Sequence, residues 1–114
     1  MLSLFTEDDI LQIKQQGRNS WNVFELNTDK IIYAIKNNNI NKTAFIQLSQ
    51  NSRDNMTSLH TLFGLPREDI TIHAMREAIY LAQCNNPEKD KYIKQMEIDQ
   101  EVLEEDIDRI TITI

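Results

Sequence analysis

The stretch that decides the fold is DITIHAMREAIYLAQC, residues 69–84. Its apolar residues recur at the spacing of one face of an α-helix. They are Ala74, Met75, Ala78, Ile79 and Ala82. Scarce turn residues, with two glycines and two prolines in 114 residues, also favour a few long helices over many short strands. We therefore expect a helix over about residues 69–84 that packs one face into a core.

The amino-terminal region predicts a shorter helix. Thr6 and Asp9 have the spacing of a capping box, in which each side chain bonds the backbone of the other. Gly17 is suited to a left-handed helix end, because it has no Cβ to clash there. These signals place the first helix at about residues 7–16. Ser20 is suited to cap the next helix.

The second and third helices have less certain bounds. Thr28 could restart the second helix and leave residues 21–26 as a strand or a turn. The run Asn37–Asn39 predicts a loop, because asparagine side chains compete for their own backbone. A third helix follows, with Ser52 placed to cap a continuation that ends at Gly64.

The carboxyl-terminal third predicts a last helix and a short tail. Pro87 suits a first helical turn, and apolar residues follow it at helical spacing. They are Tyr92, Met96, Leu103 and Ile107. Residues 111–114 alternate threonine with isoleucine, and both are β-branched. A short β segment is therefore a possible alternative there, as it is at residues 21–26. The predicted fold is mainly α, a compact bundle of four to five helices in a single domain, residues 1–114.

Composition excludes several classes of function. With only two glycines, the sequence contains neither glycine-rich motif of a phosphate-binding loop. One cysteine and two histidines are too few to supply the four ligands of a structural zinc site. We expect His60 and His73 to pack among apolar helix positions and Cys84 to be a small buried side chain. No basic leader or long apolar run is present, so we expect a cytoplasmic protein without a membrane span. We do not expect an enzyme.

Acidic residues are concentrated near the carboxyl end. Residues 1–85 carry nine acidic and eight basic residues, whereas residues 86–114 carry nine and four. Residues 95–108 include seven acids and no Lys or Arg. Like charges one helical turn apart destabilise an isolated helix by a few tenths of a kcal/mol per pair. Arg109 alone cannot neutralise this segment, in which four acids share one helix face: Glu97, Glu101, Glu104 and Asp108.

Three interpretations of the acidic segment are open. It could be a solvated face that serves solubility, as most charge runs are. It could be a docking surface, because a patch of one sign steers a partner of the opposite sign. It could bind metal, but the sequence lacks the glycine-containing calcium loop and the Glu-x-x-His pairs of di-iron bundles. We therefore expect no metal ion and no cofactor.

The stretch FIQLSQNSRDNMTSL, residues 45–59, resembles a helix-turn-helix of the phage-repressor type. The resemblance implies a turn at Gln50, where the family usually has glycine, and a recognition helix opened by Ser52 and Arg53. It also implies DNA binding, against which a net charge of −6 acts. That activity would require three arginines to cluster: Arg53, Arg67 and Arg76.

The leading hypothesis is a non-enzymatic protein-binding module, most concretely a bacterial immunity or inhibitor protein. Its carboxylates would cover a basic toxin or nuclease domain, because sites that bind phosphates are cationic. The alternatives are a helix-turn-helix regulator or antitoxin and a small acidic secretion chaperone. Nucleic acid is not the expected partner, and the sequence leaves the oligomeric state open. The expected partner-binding residues are Glu97, Glu101, Glu104, Glu105 and Asp108.

Overall fold

Four α-helices form the computed structural model of the chain: α1 (Glu7–Lys36), α2 (Lys42–Phe63), α3 (Asp69–Gln83) and α4 (Lys89–Thr113). The structure describes residues 6–37, 41–64 and 69–113. Within these ranges there is no strand, which confirms the predicted mainly α bundle. Both places left open to a β segment are helical, since residues 21–26 belong to α1 and residues 111–113 to α4. Ile114 lies outside the described residues.

The start of α1 confirms the predicted capping box. Asp9 N–H donates to Thr6 Oγ1 at 3.1 Å, and Thr6 N–H donates to Asp9 Oδ2 at 3.0 Å. Two amide groups that the first helical turn leaves without a backbone partner are satisfied in this way. Glu7 and Asp8 add negative charge at the positive end of the helix dipole. These local interactions fix the first residue of the helix.

The predicted end of this helix at Gly17 was wrong. The helix runs without a break from Glu7 to Lys36, and Gly17 lies buried inside it. A Cβ at Gly17 would overlap Phe63 Cζ of α2. The glycine therefore serves a close approach of two helices, which is a packing role that its local sequence does not reveal.

Neither predicted boundary inside residues 20–28 exists. Ser20 Oγ donates to Ser58 Oγ at 3.1 Å, so it links α1 to α2 instead of capping a helix. Thr28 Oγ1 donates to the carbonyl of Phe24 at 2.9 Å within the continuous helix. Both hydroxyls thus find partners without interrupting the backbone hydrogen bonds of α1. Trp21 and Phe24 are 1% and 0% exposed, which places this segment in the core.

Helix α2 is also continuous across a predicted boundary. Asn41 caps its first turn by accepting from Ala44 N–H at 3.0 Å, and Gly64 ends it with φ of 68°, as predicted. Ser52 lies in its middle and is fully buried, so its predicted role as a cap was wrong. Gln50 is helical as well. The turn implied by the helix-turn-helix resemblance was therefore wrong, and residues 45–59 form one uninterrupted helix.

Helices α3 and α4 match the predicted division closely. Helix α3 ends at Gln83, one residue before the predicted end, and Asn85 follows with φ of 54°. The side chain of Asn86 then accepts from Glu88 N–H at 2.9 Å. Helix α4 starts at Lys89, two residues after the predicted start at Pro87. Cys84 is exposed, so its predicted burial was wrong.

The bundle is elongated, with extents of 56 × 23 × 19 Å. Helix α1 packs mainly on α2, and α3 mainly on α4. The α1–α2 pair is antiparallel, because Ser20 meets Ser58 while Asn27 meets Asn51. Asn27 Nδ2 donates to Asn51 Oδ1 at 2.6 Å. Asn27 is 5% exposed whereas Asn51 is exposed, so a half-buried amide pair joins these helices.

Two groups of buried side chains hold the four helices together. The first joins α1, α2, α3 and α4 through Ile31, Ile35, Phe45, Met75, Ile93 and Met96, among others. The second joins the same helices farther along the bundle through Trp21, Phe24, Met56, Leu59, Ile72, Leu103 and Ile107. Burying an aliphatic or aromatic side chain contributes about 1.5–3 kcal/mol before the entropy of ordering is subtracted. Because α1 and α4 contribute to both groups, the surface between them is fixed by the core.

Candidate functional site

An open groove lies between α1 and α4 on the surface of the bundle, with a volume of about 470 Å³. Gln100 holds the two helices together at this groove. Its Nε2 donates to Asp29 Oδ1 at 3.0 Å and approaches the carbonyl of Glu25 at 3.5 Å. We call this surface the acidic groove, and it is lined by Glu25, Asp29, Ile32, Tyr33, Lys36, Glu97, Gln100, Glu101 and Glu104.

The charges that line the acidic groove are mostly of one sign. Among the described residues, five carboxylates line it, two from α1 and three from α4, whereas Lys36 contributes one ammonium group. Unit charges at about 4 Å still interact by roughly 1 kcal/mol in bulk water and by more near a protein surface. The groove therefore presents an excess of negative charge that neither helix carries alone.

Glu25 shows the effect of this crowding directly. Partial burial raises the pKa of Glu25 above its ordinary value of 4.5, and repulsion from Glu104 and Asp29 raises the pKa further. Attraction to Arg18 and a hydrogen bond with Trp21 act in the opposite direction on this pKa without cancelling the rise. The proton is thus held more tightly by Glu25 in the folded protein than by a free side chain, because its charge is disfavoured there.

Two cations of α1 reach across to the acids of α4. Arg18 Nη2 donates to Asp108 Oδ1, and Lys36 Nζ lies 3.6 Å from Glu97 Oε1. All four side chains are at least 40% exposed, so water and salt screen both pairs. Exposed pairs of this kind contribute about 0–1 kcal/mol each. They orient α1 against α4 without removing the acidic character of the groove.

The five predicted partner-binding residues fall into three positions. Glu97, Glu101 and Glu104 line the acidic groove together, as their spacing on one helix face predicts. Asp108 pairs with Arg18 on the same side of α4. Glu105 is exposed but does not line the groove. The structure thus brings together three of the predicted residues and separates Glu105 from them.

Two carboxylates of the groove were missed from the sequence. Glu25 and Asp29 are four residues apart on α1, and that spacing places them on one face only if the helix is continuous. A helix break at Thr28, which the sequence alone leaves open, would remove that relationship. The apolar residues from Trp21 to Ile35 form one continuous helix face. That pattern predicts an unbroken helix, and an unbroken helix places Glu25 and Asp29 on one face.

The wall of the acidic groove also includes apolar surface. Ile32 is buried at its base, whereas Tyr33 is 69% exposed beside it. Aromatic side chains with an apolar ring and a polar tip are frequent in protein interfaces. The groove can therefore contact both the charged tip and the apolar stem of a long basic side chain.

The described residues also bear on metal binding and on membrane spanning. Within residues 6–37, 41–64 and 69–113, no group of three or more His, Cys, Asp or Glu side chains is placed to hold a metal ion. None of the helices described in these ranges combines the length and the apolar character needed to cross a bilayer. His60 and His73 are exposed, so their predicted packing in an apolar environment was wrong.

Comparisons with protein families, with curated proteins and with solved structures found no match to this chain.

Proposed function

We propose that the chain is a non-enzymatic protein-binding module of a bacterial cytoplasm that binds a basic partner in the acidic groove. The most concrete form is an immunity or inhibitor protein that neutralises a toxin or nuclease. The observation that carries the proposal is that the described residues lining one open groove include five carboxylates from two helices and one lysine. An acidic face that only increased solubility would not require α1 and α4 to place their carboxylates together.

The electrostatics of the groove support association with a cationic surface. Carboxylates repeated along α4 imitate the spaced negative charges of a phosphate backbone, which is what a nuclease site binds. Complementary charge also steers encounter and raises association rates, most strongly at low ionic strength. Burial first, and repulsion from Glu104 and Asp29 second, raise the pKa of Glu25, so a cation placed in the groove would relieve the repulsive part of this cost.

The ion pairs already present do not prevent such binding. Lys36 and Glu97 are each more than half exposed, and their atoms lie 3.6 Å apart. A pair of this kind contributes about 0–1 kcal/mol, so a cation of the partner can replace Lys36 at little cost. Arg18 holds Asp108 at one side, which leaves Glu101 and Glu104 as the carboxylates best placed to receive a partner.

The direct test uses an oligolysine peptide as the probe and two neighbouring residues as a matched pair. Glu104→Gln removes a charge inside the groove, and Glu105→Gln removes the same charge outside it. We expect the Glu104 variant to bind the peptide about fivefold more weakly, a loss of about 1 kcal/mol, and the Glu105 variant to change less. Equal effects of the two substitutions would mean that only net charge matters, and the groove would be rejected as the site.

The inhibitor form of the proposal has a separate test. The product of the neighbouring gene is expressed with the chain, and growth and complex formation are measured. We expect protection to depend on the groove, so the double variant Glu101→Gln, Glu104→Gln loses protection while Glu105→Gln retains it. Protection that survives the double variant would contradict this assignment, even if the peptide binds as expected.

A further inference from the structure

A second depression, of about 200 Å³, lies between α2 and α3 and is lined by nitrogen-rich side chains. Arg53 reaches it from α2, whereas His73 and Arg76 reach it from α3. Ile72 adds an apolar surface and is 6% exposed, so the base of the depression belongs to the core. The three nitrogen-bearing side chains are exposed and accessible from solvent.

The backbone fixes this arrangement. His73 and Arg76 are three residues apart on α3, which makes them neighbours on one helix face. Arg53 lies in the middle of the continuous α2, four residues before Thr57, whose hydroxyl donates to the Arg53 carbonyl at 3.0 Å. The convergence therefore rests on two regular helices and not on a loop. Side chains presented by helices hold a site more precisely than side chains presented by loops.

The local charge is opposite to that of the whole chain. The net charge is −6, yet the described side chains that line this depression include two guanidinium groups and no carboxylate. The ion pairs formed within residues 6–37, 41–64 and 69–113 involve Arg18, Lys36 and Arg109, and neither Arg53 nor Arg76. Two guanidinium groups held near one another repel, and an anion between them removes that repulsion.

We propose that Arg53, His73 and Arg76 bind a phosphate group. Guanidinium groups present paired N–H donors whose geometry matches two oxygens of a phosphate, and a ring N–H of histidine can donate to a third. The depression has a volume of about 200 Å³. A water molecule occupies roughly 30 Å³ in the liquid, so this volume equals that of several waters and can hold a phosphate group. The site lies on α2 and α3, so it is independent of the function proposed for the groove between α1 and α4.

A neighbouring groove indicates what the phosphate is attached to. Arg76 lines both depressions, and the second one, of about 250 Å³, continues between α2 and α3. Its lining includes Phe45, Ile46, Ile79 and the 61% exposed Tyr80. Bases stack on exposed aromatic rings without regard to sequence. The ligand class is therefore a nucleoside phosphate, either a free nucleotide or one unit of a single strand.

The test measures binding of adenosine monophosphate, inorganic phosphate, adenosine and a single-stranded oligonucleotide to the full chain by chemical-shift titration. We expect adenosine monophosphate to bind more tightly than phosphate, and adenosine not to saturate. Arg53→Gln and Arg76→Gln should each weaken nucleotide binding at least fivefold. Arg109→Gln is the control, because Arg109 pairs with Asp106 on α4 and does not line this depression.

The possible outcomes either identify the source of the phosphate or overturn the proposal. An oligonucleotide that binds more than tenfold more tightly than the mononucleotide assigns the phosphate to a nucleic-acid strand, and similar affinities assign it to a free nucleotide. The proposal is overturned if no phosphate probe saturates below about 10 mM. It is also overturned if Arg109→Gln weakens binding as much as Arg53→Gln does. The groove variant Glu104→Gln should leave nucleotide binding unchanged, so failure here and failure of the protein-binding proposal are distinguishable.

Discussion

The ring of Phe63 occupies the space in which residue 17 would carry a side chain. An added Cβ at Gly17 would overlap Phe63 Cζ and lie 2.5 Å from each Cε. Gly17 is buried in the interior of α1, where glycine lowers helix stability by about 1 kcal/mol relative to alanine. Close packing of α1 on α2 at this point therefore outweighs the helix propensity of residue 17.

Gly17→Ala should destabilise the protein although alanine is the better helix former. Displacing the Phe63 ring should cost about 1–3 kcal/mol, as overpacking usually does, and exceed the gain in propensity. Urea denaturation of the variant would measure the loss. In a Phe63→Ala background the ring is gone, so the same substitution should become stabilising. A destabilising effect of equal size in both backgrounds would contradict the steric explanation.

The two glycines show which parts of the fold the sequence could predict. Gly64 was placed correctly at a helix end, because its φ of 68° is a local requirement that favours glycine. Gly17 was placed wrongly, because its role depends on Phe63, which is far away in sequence. Local signals thus located the ends of α2 and α3, whereas the continuity of α1 was decided by contacts between helices.

Ser52→Ala should leave the protein as stable or make it more stable. Ser52 is fully buried, and its Oγ has no hydrogen-bond partner among the described residues. A buried polar group without a partner costs about 1–3 kcal/mol, and alanine is also the better helix former. We expect a gain of about 0.5–1 kcal/mol in the free energy of unfolding, measured as a shift of the urea midpoint at constant slope.

Ser58→Ala is the matched control for this prediction. Ser58 lies on the same helix as Ser52, but its Oγ accepts from Ser20 Oγ at 3.1 Å. Removing a satisfied hydroxyl should lower the free energy of unfolding by about 0.5–1.5 kcal/mol. If both substitutions were destabilising to the same extent, Ser52 would have to be bonded in solution.

The acidic groove could be predicted only in part, for a reason that particular residues make clear. The spacing of Glu97, Glu101 and Glu104 placed them on one face before the structure was known. Nothing in α4 alone indicates that this face lies against Glu25 and Asp29 of α1. The sequence also could not show that Glu104 lies in a groove and Glu105 outside it, because that difference depends on how α4 packs against α1.

Glu25→Gln should stabilise the protein at neutral pH and lose that effect in acid. Burial first, and repulsion from Glu104 and Asp29 second, raise the pKa of Glu25 above 4.5. The folded state therefore binds this proton more tightly than the unfolded chain, so the ionised carboxylate costs stability above the raised pKa. Below pH 4.5 the carboxyl group is protonated in both states, and the cost disappears.

Thermal unfolding of the Glu25→Gln variant and of the native chain across this pH range measures the effect. The variant should melt at a higher temperature at about pH 7, and the two curves should converge as the pH falls. Glu105→Gln removes an exposed charge outside the groove and serves as the control. A gain that stays constant from neutral pH to acid would show that the amide packs better and that repulsion is not the cause.

Lys36→Gln should strengthen binding of a basic partner, the opposite of what removal of a groove carboxylate does. Lys36 is the lysine that lines the acidic groove, and it lies 3.6 Å from Glu97. Its removal frees that carboxylate and deletes a charge that repels a cationic ligand. We expect oligolysine affinity to rise about threefold, mainly through the association rate and mainly at low salt. The control for this prediction is Lys30→Gln, which makes the same change in net charge at an exposed position that does not line the groove. A rise of equal size in both variants would attribute the effect to net charge, whereas a rise confined to Lys36→Gln places the bound peptide beside Glu97.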